Sequence, residues 1–230
     1  MARIKYFSTG RISGKVGTLV YFTKNGKSFV RSAGIRKDNP SYNDIVRRQK
    51  FGMSTKLAKC INSVPELKAL WETHKSAIGS TFNAIQKANY EKVNGKDVLD
   101  TPAVIPGLYD SIQTDKAVKF KGQELRFALS EDETHDIYAC SLRENAIIAG
   151  VLFLNYHDYN SNEPYRFIGL KGNIVKTKKG DTAVIKIGER ISSIMKEYSV
   201  INFYFGIVSG DKGFGNYMRK ISLQITKTLS

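Results

Sequence analysis

Basic side chains are the residues of this chain whose type and spacing favour a chemical role, and that role is the binding of anions. Residues 1–60 contain fourteen Lys and Arg against two acids, whereas residues 61–230 contain 22 Lys and Arg against 19 acids. Such a concentration of positive charge indicates contact with nucleic acid, an anionic surface or an acidic partner. A basic face without any polyanion partner is the alternative. The residues predicted to make the contact are Lys15, Lys24, Lys27, Arg31, Arg36, Lys37, Arg47 and Arg48.

Nucleotide-binding and catalytic motifs are not recognisable. Residues 10–16 (GRISGKV) have the wrong spacing for a phosphate-binding loop, and Val16 stands where that loop needs a hydroxyl. No nucleophile is recognisably paired with a base. The sequence therefore predicts no catalytic residue, no cofactor and no enzymatic activity.

Metal binding needs clustered His, Cys and carboxylate side chains, and His74, His135 and His157 are isolated from one another. We therefore predict no metal site. His157 lies in a polar aromatic turn and is the most site-like of the three, so an enzyme with a cleft near His157 is kept as an alternative. The glycine-rich residues 209–215 are interpreted as a hairpin loop, and the acidic residues 131–133 as a solvated turn.

Residues 13–32 (SGKVGTLVYFTKNGKSFVRS) predict the β-hairpin that carries several of the basic residues. Asn25-Gly26 is a strong signal for a two-residue turn, because a type I′ turn needs positive φ at both central positions. This turn predicts the pairs Lys24–Lys27, Thr23–Ser28, Phe22–Phe29, Tyr21–Val30 and Val20–Arg31. Alternation then predicts one face with Val20, Phe22, Phe29 and the cations, and another with Leu19, Tyr21, Thr23, Ser28 and Val30.

Two helices are predicted after the hairpin. Asn39-Pro40 is typical of a helix start, and apolar residues then recur at helical spacing to about Asn62. Ser63, Pro65 and Glu66 predict the start of a second helix, with a kink at Gly79 and an end near Lys92. The acidic start of this second helix argues against sequence-specific reading of DNA.

The period of the apolar pattern changes to two in the second half of the chain. Turn-forming residues predict a linker at 96–106, which separates a basic hairpin and two-helix domain (1–95) from an all-β domain (107–230). Nine strands are predicted there, at 117–121, 124–129, 136–142, 147–156, 166–170, 174–177, 182–187, 200–208 and 218–226. A short helix or turn is predicted at 189–198. The fold class is therefore α+β, and the second domain is expected to be a sandwich.

No run of about 18 apolar residues occurs, so we predict no membrane partner. The first residues contain no apolar core typical of a signal peptide. Cys60 and Cys140 lie far apart, as expected for reduced thiols of an intracellular product. We expect the chain to be cytoplasmic on synthesis, with a virion or phage-like particle as a further location.

The opening of the chain resembles a group of uncharacterised Bacteroidetes proteins, related also to small phage and prophage proteins. The resemblance is carried by residues 1–5 (MARIK), 13–17 (SGKVG), 25–27 (NGK), 30–31 (VR) and 48–51 (RQKF) and covers about the first 75 residues. It implies a phage or mobile-element setting, a non-enzymatic role and an immunoglobulin-like C-terminal domain. That group has no established activity, so it transfers no catalytic residues.

The leading functional hypothesis is a non-enzymatic structural or accessory protein of a phage-like particle. It would assemble with other subunits, in a homo- or hetero-oligomer, through the basic hairpin and helices. The alternative is a nucleic-acid-binding protein of low sequence specificity, with DNA or RNA as its partner, whose basic residues contact phosphates.

Overall fold

The computed structural model describes residues 2–3, 13–34, 39–74, 79–107, 112–113, 118–119, 123–129, 146–156, 163–177, 180–209 and 215–224. The chain divides into two compact units, residues 1–42 and residues 43–230. Both helices and strands are present, which confirms the mixed α+β class.

The first unit is an antiparallel sheet built on the predicted hairpin. Its strands are β1 (Ala2–Arg3), β2 (Gly14–Val16), β3 (Leu19–Lys24) and β4 (Lys27–Ser32), in the order β1-β4-β3-β2. The prediction of a simple hairpin was wrong in one respect, because the ascending chain folds back at Gly17-Thr18. Gly17 has φ 57°, a conformation that glycine adopts readily, so β2 becomes a further strand beside β3.

The predicted turn and register of the hairpin are confirmed. Asn25 and Gly26 have φ 52° and φ 73°, as a type I′ turn requires. Lys24 pairs with Lys27 and Phe22 with Phe29, and the pairing continues without a register shift to Leu19 and Ser32. A two-residue turn was therefore sufficient to set which side chains share a face.

Three helices, rather than the two predicted, follow the first sheet. They are α1 (Tyr42–Ser63), α2 (Pro65–His74) and α3 (Thr81–Asn89). Gly79 has φ 134°, which no helix accommodates, and the Ser80 side chain accepts a hydrogen bond from the Asn83 N–H to start α3. The predicted kink is therefore a break between helices.

Eight further described strands and one helix complete the second unit. Their bounds are β5 (Ile112–Gln113), β6 (Val118–Lys119), β7 (Glu124–Ala128), β8 (Ala146–Asn155), β9 (Tyr165–Thr177), β10 (Gly180–Lys186), α4 (Glu189–Glu197), β11 (Val200–Ser209) and β12 (Gly215–Gln224). Seven strands form one sheet path in the order β5-β12-β11-β8-β9-β10-β7, and β6 also pairs with β12. The two strands predicted at 166–170 and 174–177 are one continuous strand, β9, and the strand predicted at 136–142 lies outside the described residues.

Each face of this sheet is covered by a hydrophobic core. On one face, Val151 and Phe153 of β8 belong to the same core as Leu57 of α1 and Trp71 of α2. The other face holds a second core that includes Met195 of α4. The helices and the sheet therefore bury their apolar surfaces against each other.

The sheet curls strongly around the second core. The rings of Phe127 on β7 and Phe205 on β11 lie 5.0 Å apart, although three strands separate β7 from β11 in the sheet. Gly150 and Gly172 permit the close approach of neighbouring strands, because a Cβ at either position would lie within 2.4 Å of a backbone oxygen. The described strands of this unit form one path of paired strands, so the immunoglobulin-like sandwich is not confirmed and stays a prediction.

Residues 101–106, within the predicted linker, are buried in the second unit. The Asn89 side chain donates to the carbonyls of Ile85 and Ala103 and accepts from the Ala103 N–H. Trp71 Nε1 donates to the Val104 carbonyl over 2.9 Å. These bonds hold the segment against α2 and α3.

Among the described residues, the helices are too short or too polar for a membrane span.

Candidate functional site

The candidate site is one face of the N-terminal sheet, which we call the basic face. Lys15 pairs with Val20, Val20 pairs with Arg31, and Lys24 pairs with Lys27. Directly paired residues of antiparallel strands lie on the same side of the sheet, and side chains alternate along each strand. Among the residues whose side chains the structure describes, the basic face therefore includes Lys15, Val20, Phe22, Lys24, Lys27, Phe29 and Arg31.

The four cations of the basic face are exposed. The described residues of the first unit include no Asp or Glu. The charge of the four cations is therefore not neutralised by a carboxylate from this described part. Lys24 and Lys27 are directly opposed like charges, which repel each other slightly. The electrostatics of this face favour a polyanion.

Two aromatic rings lie between the two groups of cations. Phe22 and Phe29 form a stacked cross-strand pair, with ring centroids 5.5 Å apart and an angle of 20° between the rings. Both side chains are half-buried. Two residues along a strand span about 7 Å, so the Lys24–Lys27 pair lies about one such step from the rings, and Lys15 and Arg31 lie one step away on the other side.

The opposite face of the sheet has no charged residue among the described positions. It carries Val16, Leu19, Tyr21, Thr23, Ser28, Val30 and Ser32. Val16 is 61% exposed and Leu19 is 38% exposed. The two faces of one small sheet therefore differ sharply in character, one basic and aromatic, the other uncharged and partly apolar.

The other predicted basic residues are not on this face. Arg36 and Lys37 lie outside the described residues. Arg47 and Arg48 are exposed neighbours near the start of α1. Of the eight predicted binding residues, the structure brings Lys15, Lys24, Lys27 and Arg31 together.

The aromatic pair is the part of the site that was not predicted from the sequence. The predicted register places Phe22 opposite Phe29 and beside the lysines, so the sequence contains a signal for the aromatic pair. The two rings were interpreted only as packing residues. Lys15 was included for its charge alone. Its place on the basic face depends on the turn at Gly17, which the sequence analysis did not predict.

No protein family, curated protein or solved structure matches this chain. The function is therefore argued from the geometry of the described residues.

Catalytic and metal-binding chemistry finds no further support in the described part of the chain. Those residues contain no group of three or more His, Cys, Asp or Glu that could hold a metal ion. The Nδ1 of His74 lies 3.0 Å from the Leu70 carbonyl of its own helix. His135, His157, residues 131–133 and most of the predicted loop at 209–215 lie outside the described residues, so the alternative of an enzyme near His157 stays a prediction.

Proposed function

We propose that this protein is a non-enzymatic binding protein that holds single-stranded nucleic acid with low sequence specificity through the basic face. The observation that carries the proposal is the sheet register, which puts four exposed cations and a stacked phenylalanine pair on one surface. Lysine and arginine bind phosphates without regard to sequence, and aromatic rings stack on bases of any type.

The composition of the basic face favours single strands over duplexes. Stacking on Phe22 or Phe29 requires an unpaired base, because the faces of paired bases are covered within a duplex. The described hydrogen-bonding side chains of this face are three Lys and one Arg, and it has no Asn, Gln, Asp or Glu to read base edges. Low sequence specificity follows from that composition.

Binding of a labelled oligothymidine to the full chain, measured by fluorescence anisotropy, tests the proposal. If four cations each neutralise one phosphate, the affinity falls about 50-fold between 50 and 200 mM salt, because each contact with a single strand contributes about 0.7 to the slope. A duplex of equal length is expected to bind more weakly. Equal or tighter binding of the duplex, or affinity that does not change with salt, would contradict the proposal.

A second candidate function is a structural or accessory role in a phage-like particle, in which copies of the chain assemble. What supports it is the uncharged face, on which Val16 and Leu19 are exposed. Small sheets gain stability when an apolar face is covered.

The assembly role is tested by sedimentation of the wild type and of the double variant Val16→Lys/Leu19→Lys. We expect the wild type to self-associate at high concentration and the double variant to remain monomeric, because two ammonium groups would be buried in the contact. Val20→Lys, on the basic face, is the matched control and is expected to associate as the wild type does. A wild type that stays monomeric at every concentration contradicts self-assembly through this face.

A further inference from the structure

A groove in the second unit lies between the C-terminal half of α1 and the first half of β9. Its lining includes Lys56, Lys59 and Ser63 from the helix and Tyr165, Phe167 and Gly169 from the strand. Both lysines are exposed, Tyr165 is buried and Phe167 is half-buried. The groove therefore has a basic rim and an aromatic floor.

Among the described strands, none pairs with one backbone edge of β9 along this groove. β8 pairs with β9 from Tyr165 to Asn173, whereas β10 pairs only with residues 173–177 of β9. In the described part of the chain, residues 165–171 of β9 therefore have a strand on one side only. The β10–β9 pairing ends at Val184 and Asn173, next to Gly172, and the following residues of β10, Ile185 and Lys186, pair with β7.

The unpaired backbone groups on that edge can be identified from the register. The Tyr156 N–H donates to the Pro164 carbonyl, so the even-numbered residues of β9 hydrogen-bond towards β8. Successive residues of a strand direct their backbone groups to opposite edges, so the N–H and C=O groups of Tyr165, Phe167 and Gly169 point to the open edge. An open edge of this kind is a template for an added strand.

The charge around the groove indicates which kind of added strand would bind there. Lys56 Nζ lies 4.8 Å from the ring centroid of Tyr165, and neither Lys56 nor Lys59 belongs to an ion pair of the described residues. Arg166 is paired with Glu163, so that pair adds no net charge. Lys56 and Lys59 therefore supply the net positive charge of the groove. They lie about one helical turn apart on α1 and face a bound segment.

The groove is suited to binding and not to covalent chemistry. Cys60 lies at its base, and burial raises the pKa of its thiol to about 12. The nucleophilic form of cysteine is the thiolate, so this side chain stays protonated and unreactive near neutral pH.

We propose that the groove binds an extended acidic segment of a partner protein, which adds a strand to the open edge of β9. Backbone hydrogen bonds to Phe167 and Gly169 hold the segment, and carboxylates at alternate positions meet Lys56 and Lys59. Alternation is required because every second side chain of the added strand points towards α1.

The test is the binding of a labelled peptide of alternating Glu and Thr to the full chain, followed by anisotropy at low salt. Lys56→Gln/Lys59→Gln is expected to weaken binding about fivefold, as removal of two exposed charge pairs would. N-methylation of the peptide along the edge that faces β9 is expected to weaken binding about tenfold, whereas methylation of the opposite edge leaves it unchanged. Lys87→Gln/Lys196→Gln, which removes equal charge from exposed positions outside the groove, is the matched control.

Three results would overturn this proposal. The first is unchanged affinity of the Lys56→Gln/Lys59→Gln variant for the peptide, and the second is equal affinity of the wild type for the two methylated peptides. The third is a Lys56→Gln/Lys59→Gln variant that loses binding of oligothymidine and keeps binding of the peptide. The last result would assign the groove to nucleic acid. A variant with Lys24, Lys27 and Arg31 changed to Gln is expected to bind the peptide normally, so failure of the nucleic-acid proposal is distinguishable from failure of this one.

Discussion

Changing Lys24, Lys27 and Arg31 to Gln together is expected to lower the affinity for a labelled single strand about 100-fold at 0.1 M salt. Three fewer phosphate contacts reduce the slope of log affinity against log salt concentration by about 2, and the loss at 0.1 M follows from that slope. The three side chains are exposed at the surface of a small sheet, so the substitutions are expected to leave the fold unchanged. Anisotropy titrations at several salt concentrations give both the affinity and the slope.

The control for this experiment removes the same charge elsewhere. Lys87, Lys186 and Lys196 are exposed residues of the second unit, and their change to Gln also lowers the net charge by three. This control is expected to bind almost as the wild type does, because general attraction at a distance is screened within about 10 Å at 0.1 M salt. If the two triple variants lose affinity equally, the binding depends on net charge, and the basic face is not the site.

Changing Phe153 to Ala is expected to lower the free energy of unfolding of the second unit by about 4 kcal/mol. Phe153 is fully buried in the core between the sheet and the helices, and its ring stacks on that of Phe167 with centroids 5.2 Å apart. Truncation leaves a cavity that the surrounding strands and helices fill only in part. Chemical denaturation followed by circular dichroism measures the change.

The same experiment tests whether the helices and the sheet unfold together. Trp71, the one tryptophan of the chain, lies on α2 in the same core, so its fluorescence reports on the helices. We expect the fluorescence transition to shift with the circular dichroism transition, since both elements depend on one core. Phe51→Ala on α1 is the matched control, because Phe51 is 56% exposed and its truncation is expected to cost under about 0.5 kcal/mol. A fluorescence transition that stays in place would show that the helices fold without the sheet.

Local sequence patterns correctly predicted the elements that are specified by short-range interactions. The Asn25-Gly26 turn set the hairpin register, because a type I′ turn accepts few other residues at its two centre positions. The helix period from residue 42 onwards predicted α1, and the apolar run at 200–208 predicted β11. In each case, the signal and the structure it specifies lie within a few residues of each other.

Errors arose where one residue had two plausible roles. Ser63 was expected to cap the second helix, but its hydroxyl donates to the Cys60 carbonyl and helps to end α1. Two separate strands were predicted at 166–170 and 174–177, although Gly172 lies inside the single strand β9 and allows β10 to approach. The choice between roles depends on neighbours that are distant in sequence, which no local pattern contains.

The sequence by itself determined the hairpin register, the α+β class and the concentration of positive charge in the first quarter of the chain. Only the tertiary structure decided that β2 brings Lys15 onto the basic face, that residues 101–106 are buried, and that no described strand pairs with one edge of β9 beside Lys56 and Lys59. The physical reason is the range of the interactions. Turn geometry and helix period act over a few residues, whereas a strand edge stays open or becomes paired according to how all the strands share one curved sheet.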